Sequence, residues 1–166
     1  MDALLFHPKL VHLPLGLALV MPLLAIGILL ARRACLLPPG SWLIVVLLQA
    51  LLVAGAYGAM RAGHHEEERV EDLVGEHWIH EHEESAEAFV WGAGIVLVVA
   101  AAGLVLPAGT LSTAALVGAA AGTLIVTGLA VRAGQSGGEL VYERGAAAAY
   151  TSPAALPAGD VDDSDL

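Results

Sequence analysis

AFVWGAGIVLVVAAAGLVLPAGTLSTAALVGAAAGTLIVTGLAV, residues Ala88–Val131, runs for 44 residues without an Asp, Glu, Lys or Arg. A helical membrane span takes about 20 predominantly apolar residues, so this stretch is long enough for two. Its one break is Pro107-Ala108-Gly109. A Pro–Gly punctuation between two apolar runs predicts a helical hairpin with antiparallel arms. Hydrocarbon offers the backbone no hydrogen-bond partners, so the arms are expected to be helices rather than open strands.

Working outward, two more uncharged stretches are long enough to cross lipid, Leu10–Ala31 and Ser41–Met60. The turn between them, Arg32 to Gly40, contains Pro38 and Pro39. The expected fold is an all-α, integral membrane, four-helix antiparallel bundle. Its spans cover about 10–31, 41–60, 75–106 with an interfacial start, and 112–131. Residues 1–145 form the membrane domain, and 146–166, ending in DVDDSDL, form a disordered acidic tail. The amino terminus has Asp2 and no basic segment before a long apolar run, so it is expected to be a retained first span rather than a signal peptide.

Composition agrees with this reading. The chain has 166 residues, 57% hydrophobic and only 14% charged, where soluble domains carry roughly 25% charged residues. A net charge of −10 argues against a nucleic-acid partner. The single cysteine, Cys35, excludes a disulfide framework and is expected to be an inert small residue. Small residues recur at helical spacing in two rows, Ala50–Ala54–Gly58 and Ala114–Gly118–Gly122, which suit close helix–helix approach.

Four antiparallel spans put both termini on one side, side A, together with the linker Arg61–Glu87. That linker carries ten acids against two arginines, and Arg132–Leu166 carries six against two. Side B carries Arg32 and Arg33 and no acid. Counting Lys and Arg alone gives side A five and side B two, which favours side A inside. The two arginines of side B, however, stand alone in a very short turn, whereas the side-A bases sit among acids. The expected orientation therefore has side A, with both termini and the His-rich linker, outside the cytoplasm.

All seven histidines, His7, His12, His64, His65, His77, His80 and His82, fall on side A. Pro8 suits the first turn of a helix, with His7 just before it, and Pro14 is expected to kink the start of span one. His12 then lies about one turn inside the boundary, where an ionisable residue is a functional candidate. The bland alternative is a histidine at headgroup level bonded to water. On a helix from Gly75 to Leu106, residues Trp78, Ile79, His82, Ser85, Ala86 and Phe89 share one face. His82 is therefore expected to face the bundle, with His77, His80, Glu84 and Glu87 on the opposite, polar face. His77, His80 and Glu84 have a spacing that can edge a divalent metal, though an acidic helix with two histidines is often only solvated. His64-His65-Glu66-Glu67-Glu68 lacks the second histidine of a zinc protease motif. No nucleophile elbow, dinucleotide fingerprint, phosphate loop or CxxC appears, and Gly137-Gly138 is expected to be a turn after span four.

Three fragments together resemble a known family. They are HPKLVHLPLGLAL (His7–Leu19), the start of span three from His82, and GQSGGELVYERG (Gly134–Gly145). They resemble the bacterial and archaeal membrane family catalogued as domain of unknown function 2231, with its HPxxVHFPI-like opening and GGxLVYxxG-like close. Leu13 stands where the family often has Phe, and the acidic His-rich linker is unusual for it. The resemblance implies a four-helix domain of a prokaryotic cell membrane, sometimes found beside cytochrome c or other redox modules. The positions it carries over are His7, His12, His82, Gly137, Gly138 and Tyr142.

Three functions remain open at this point. The first is a b-type haem protein of a membrane redox complex, with His12 and His82 at similar depth as inward-pointing ligands, His7 nearby and Arg132 on a propionate. Arg132 also suits the simpler role of a snorkelling interface arginine. The second is a cofactor-free anchor or accessory subunit of a larger complex or homo-oligomer. The third is divalent-metal or pH sensing by the linker, because histidine changes charge near neutrality and acids favour its charged form. An electron-transfer or accessory subunit is expected in preference to a stand-alone enzyme.

Overall fold

The computed structural model describes residues 11–64, 74–144 and 146. Four long helices carry the fold: α1 (His12–Arg33), α2 (Leu43–His64), α3 (Glu76–Val105) and α4 (Thr110–Tyr142). All four are long and apolar enough to cross a membrane. Sequence neighbours pack against each other and α4 closes back onto α1, so the bundle runs up-down-up-down around a single core. The described part of the chain is therefore the expected all-α membrane bundle. Residues 147–166, expected as the tail, lie outside the described residues.

Each helix buries one stripe. On α2 it is Val45, Gln49, Leu52, Ala56 and Ala59; on α4 it includes Leu116, Ala120, Thr123, Val126, Ala130 and Ala133. Large side chains on the opposite faces, such as Leu23, Trp91, Ile95 and Ile125, are exposed and suited to lipid. Three devices hold the stripes in register. Trp42 Nε1–H donates to the Ala100 carbonyl at 3.1 Å, and Gln49 Nε2–H donates to the Ala93 carbonyl at 3.0 Å. Trp42, just before α2, and Gln49 within it are a heptad apart, and their acceptors are a heptad apart, in reverse order, on α3. At side B, Ser112 donates to the Gly103 carbonyl at 3.0 Å and ties the α3–α4 hairpin shut.

The third device answers a backbone defect. Pro22 lies inside α1 and is buried. A mid-helix proline has no N–H for the carbonyl four residues back, which here belongs to Ala18. Thr127 of α4 donates to that carbonyl at 2.6 Å and also lies 3.0 Å from its own Thr123 carbonyl. Pro14 needs no such repair, because it sits in the first turn of α1, where helix N–H groups lack intrahelical acceptors anyway.

The α1–α2 turn begins with a Schellman closure. Cys35 N–H donates to the Arg32 carbonyl and Leu36 N–H to the Ala31 carbonyl, with Cys35 in the left-handed region at φ 57. The position usually given to glycine is held here by the exposed lone cysteine.

The structure corrects the sequence reading in two places. The row Ala50–Ala54–Gly58 lies beside the buried stripe of α2, and Ala54 is exposed. Of the second row, Gly122 meets α3 closely, Gly118 only grazes Val99, and Ala114 is exposed. Spacing alone cannot say which way a row faces. The second correction is to α4, which runs to Tyr142, so Gly137 and Gly138 are helical rather than a turn.

Candidate functional site

The face read for α3 is the face the structure uses. Ile79, Ser85 and Phe89 are buried, and Trp78, His82 and Ala86 are half-buried, while His77, His80, Glu84 and Glu87 are exposed. This separation follows from a 100° turn per residue: apolar side chains three and four apart share the inner face, and the acids between them fall outside.

His82 sits at the side-A end of the α3–α4 seam. Its Nδ1 lies 2.9 Å from Ser136 Oγ, and Ser136 Oγ is 3.1 Å from the Ala133 carbonyl one turn back. With the single serine hydrogen donated to that carbonyl, Ser136 accepts from His82 Nδ1–H. That pairing goes with the tautomer protonated on Nδ1, and the reverse pairing, with Ser136 donating to Nδ1, goes with the other. Gly137 gives the ring its room, since a Cβ there would stand 3.0 Å from His82 Cε1. Side chains at 136 and 137 thus divide the work, one orienting the imidazole and the other making space for it.

One turn outward lies a second cluster. Arg144 stacks its guanidinium over the Trp78 ring, 3.5 Å from the centroid, and pairs with Glu139 at 2.7 Å. Both charged partners are about one-third exposed, so the ion pair is partly screened and the cation–π stack supplies much of the hold. Arg144 Nε is shielded from solvent and lacks a hydrogen-bond partner. Sequence reasoning placed Trp78 only on the apolar face and singled out none of Ser136, Glu139 and Arg144. The signal for these three was the closing motif itself, in which they flank the two glycines.

The other expected site residues fall as follows. His12 is the first residue of α1 and is exposed rather than turned into the bundle. Its level can be read from neighbouring contacts. Pro14 lies under Gly55 of α2 and Leu15 beside Gly134 of α4, so His12 and His82 share the side-A end. His7 lies outside the described residues. Arg132 is exposed on the outer face of α4, as a snorkelling arginine would be. His80 Nε2 lies 3.4 Å from Glu84 Oε1 with both side chains mostly in solvent, and His77 turns its ring edge-on to Trp78. Among the described residues no three His, Cys, Asp or Glu side chains converge as a metal ion would need. Tyr142 points outward and Gly138 has open space beside it.

A haem can be tested against this geometry. The donor chemistry fits, since an imidazole oriented through its other ring nitrogen is the usual form of a metal-ligating histidine. The interior does not offer space for a macrocycle: below His82 it is closed by Ser85, Phe89, Ala130 and Ala133, all buried. The small residues of the core draw the helices together, and the space of about 300 Å³ between α2 and α3, lined by Val53, Tyr57, Met60, Glu87, Val90, Trp91 and Gly94, does not include His82. His82 itself lies at the side-A rim of this packed interior.

Fold and seam together define a class: a small four-span membrane protein whose polar chemistry is gathered at one end of its bundle. The chain belongs to the family described as predicted membrane protein, DUF2231, which matches residues 4–149. No curated protein and no solved structure matches it.

Proposed function

We propose that the chain is a redox-associated protein of a prokaryotic cell membrane, with His82 as an imidazole ligand for a b-type haem at the side-A rim. The observation that carries this reading is the 2.9 Å contact of His82 Nδ1 with Ser136 Oγ, which orients the imidazole at the side-A end of the α3–α4 seam. Bound there, the haem would supply one-electron transfer to or from a partner complex. His82, with His12 or His7, would hold the group, and Arg132 at the same end of α4 would pair with a propionate. Ser136 would fix the ligand tautomer, and Gly137 would keep the ring in its seat. In the proposed orientation side A faces outward, where soluble electron carriers would meet it.

The test is the haem content of the protein purified in mild detergent from haem-replete cells, assayed as the pyridine haemochromogen. About one haem per bundle is expected, falling at least about tenfold in H82A, as removal of a metal ligand or its support does. Protein recovered without haem would overturn the proposal.

A second reading is supported by the closed, alanine-rich interior: a cofactor-free accessory subunit or anchor whose outer faces meet a larger complex or another copy. It predicts co-purification with a partner and no chromophore. The metal- or pH-sensing reading is supported only by the exposed His80–Glu84 pair, and it predicts zinc retention that is lost in H77A/H80A.

A further inference from the structure

The opposite end of the bundle holds a cavity of about 590 Å³ at side B. Arg32, Arg33, Leu36, Leu37, Thr113 and Leu116 are among the side chains that line it. Its chemistry is one-sided. From His12 to Met60 the only charged side chains are these two arginines, and from Ala88 to Val131 there are none. Nothing within the described side-B surface neutralises them.

Arg32 carries the sharper clue. It is half-buried, with its guanidinium 6.0 Å from the centroid of the Trp42 ring. Its Nη1 is shielded from solvent and has no hydrogen-bond partner. A shielded charged donor without an acceptor is costly. The Leu30, Ala31 and Arg32 carbonyls at the helix end accept from the Ala34, Leu36 and Cys35 N–H groups, and the guanidinium Nη1 bonds to none of them. Across the cavity, Thr113 belongs to the first turn of α4, whose N-cap Gly109 provides no side-chain cap. Two guanidiniums therefore line one space, with the first turn of α4 bordering it through Thr113.

The rest of the wall is apolar. Leu29, Leu36, Leu37 and Leu116 line it, and Leu36 is 77% exposed. A soluble anion would have no use for those leucines. A ligand with an anionic head and hydrocarbon chains would use both halves of the site.

We propose that this cavity binds the phosphate of an anionic glycerophospholipid, with Arg32 and Arg33 pairing its oxygens and the surrounding leucines meeting its acyl chains. Arg32 is the anchor, held by Trp42 and lacking an acceptor of its own, and Arg33 is the exposed second donor.

The test is native mass spectrometry of the full chain in a mild non-ionic detergent, offered phosphatidylglycerol and phosphatidylcholine of the same acyl chains. The wild type is expected to retain phosphatidylglycerol about tenfold over phosphatidylcholine, and R32Q/R33Q to lose that preference. R33Q alone alters an exposed side chain and keeps the fold accessible if the double variant does not fold; it is expected to reduce the preference about threefold. Millimolar inorganic phosphate should leave the lipid adduct in place. Equal retention of the two lipids by the wild type, or an unchanged preference in R33Q and R32Q/R33Q, would overturn the proposal. Displacement of the lipid by inorganic phosphate would overturn the lipid assignment in favour of a free-anion site.

Discussion

Pro22 removes one hydrogen bond from α1, and Thr127 returns one from α4. Thr127→Val keeps the shape and removes the donor, so the Ala18 carbonyl is left bare in an apolar interior. We expect a loss of about 1 kcal/mol, typical of an interhelical hydrogen bond in a membrane bundle, read from unfolding in mixed detergent micelles. In a Pro22→Ala background the helix regains its own N–H, and the cost of Thr127→Val should shrink toward zero. An undiminished cost there would mean that Thr127 acts by packing alone. At the candidate site, His82 was legible from its place on the apolar face of α3. Ser136 was not, because a serine four residues past an arginine carries no periodic signal. Gly137 was misread because a Gly–Gly pair suggests a break. In the bundle the helix continues through it, since the seam with α3 rewards a missing side chain there.

The α3–α4 pair shows how an element can be right in outline and misjudged in detail. Its hairpin was plain from an uncharged run with one Pro–Gly break, and the hinge at Pro107–Gly109 stands where that break lies. The closest approaches were harder to locate. Gly103 has no room for a Cβ, which would stand 3.2 Å from the Leu116 backbone N and 2.9 Å from its Cδ2, whereas at Gly118 the nearest atom is 3.9 Å away. Gly103→Ala should therefore destabilise the bundle by about 1–3 kcal/mol, as overpacking does. Gly118→Ala should stay within about 0.5 kcal/mol. Thermal unfolding of the two variants side by side checks this, and equal losses would contradict the seam. The four-residue row marked Gly118 as a candidate for contact and left Gly103 unmarked, because only the azimuth of the helix, set by its partners, decides which glycine meets them.

At the scale of the molecule, charge divides the protein more sharply than sequence distance does. Among the described residues, side B holds two arginines in one turn and no acid, and side A holds every acid and histidine. That division was readable in full from the sequence, because spans alternate and charges avoid them. The direction in which the bundle sits was not, because positive residues occur at both ends. Cys35, exposed in the side-B turn and the sole thiol, offers a direct probe. With side A outward, a membrane-impermeant maleimide should leave intact cells unlabelled and label the protein only after lysis; labelling of intact cells would reverse the orientation. What brought His82, Ser136 and Gly137 together is the antiparallel register of α3 and α4, which spacing within either helix does not reveal. The central claim is that this seam presents an oriented imidazole to a haem. The most direct test is the dithionite-reduced minus oxidised visible spectrum of the detergent-purified protein, wild type beside H82A. The account predicts a Soret band and a sharp reduced α band in the wild type, both lost in H82A. A flat spectrum in the wild type, or an unchanged one in H82A, would contradict it.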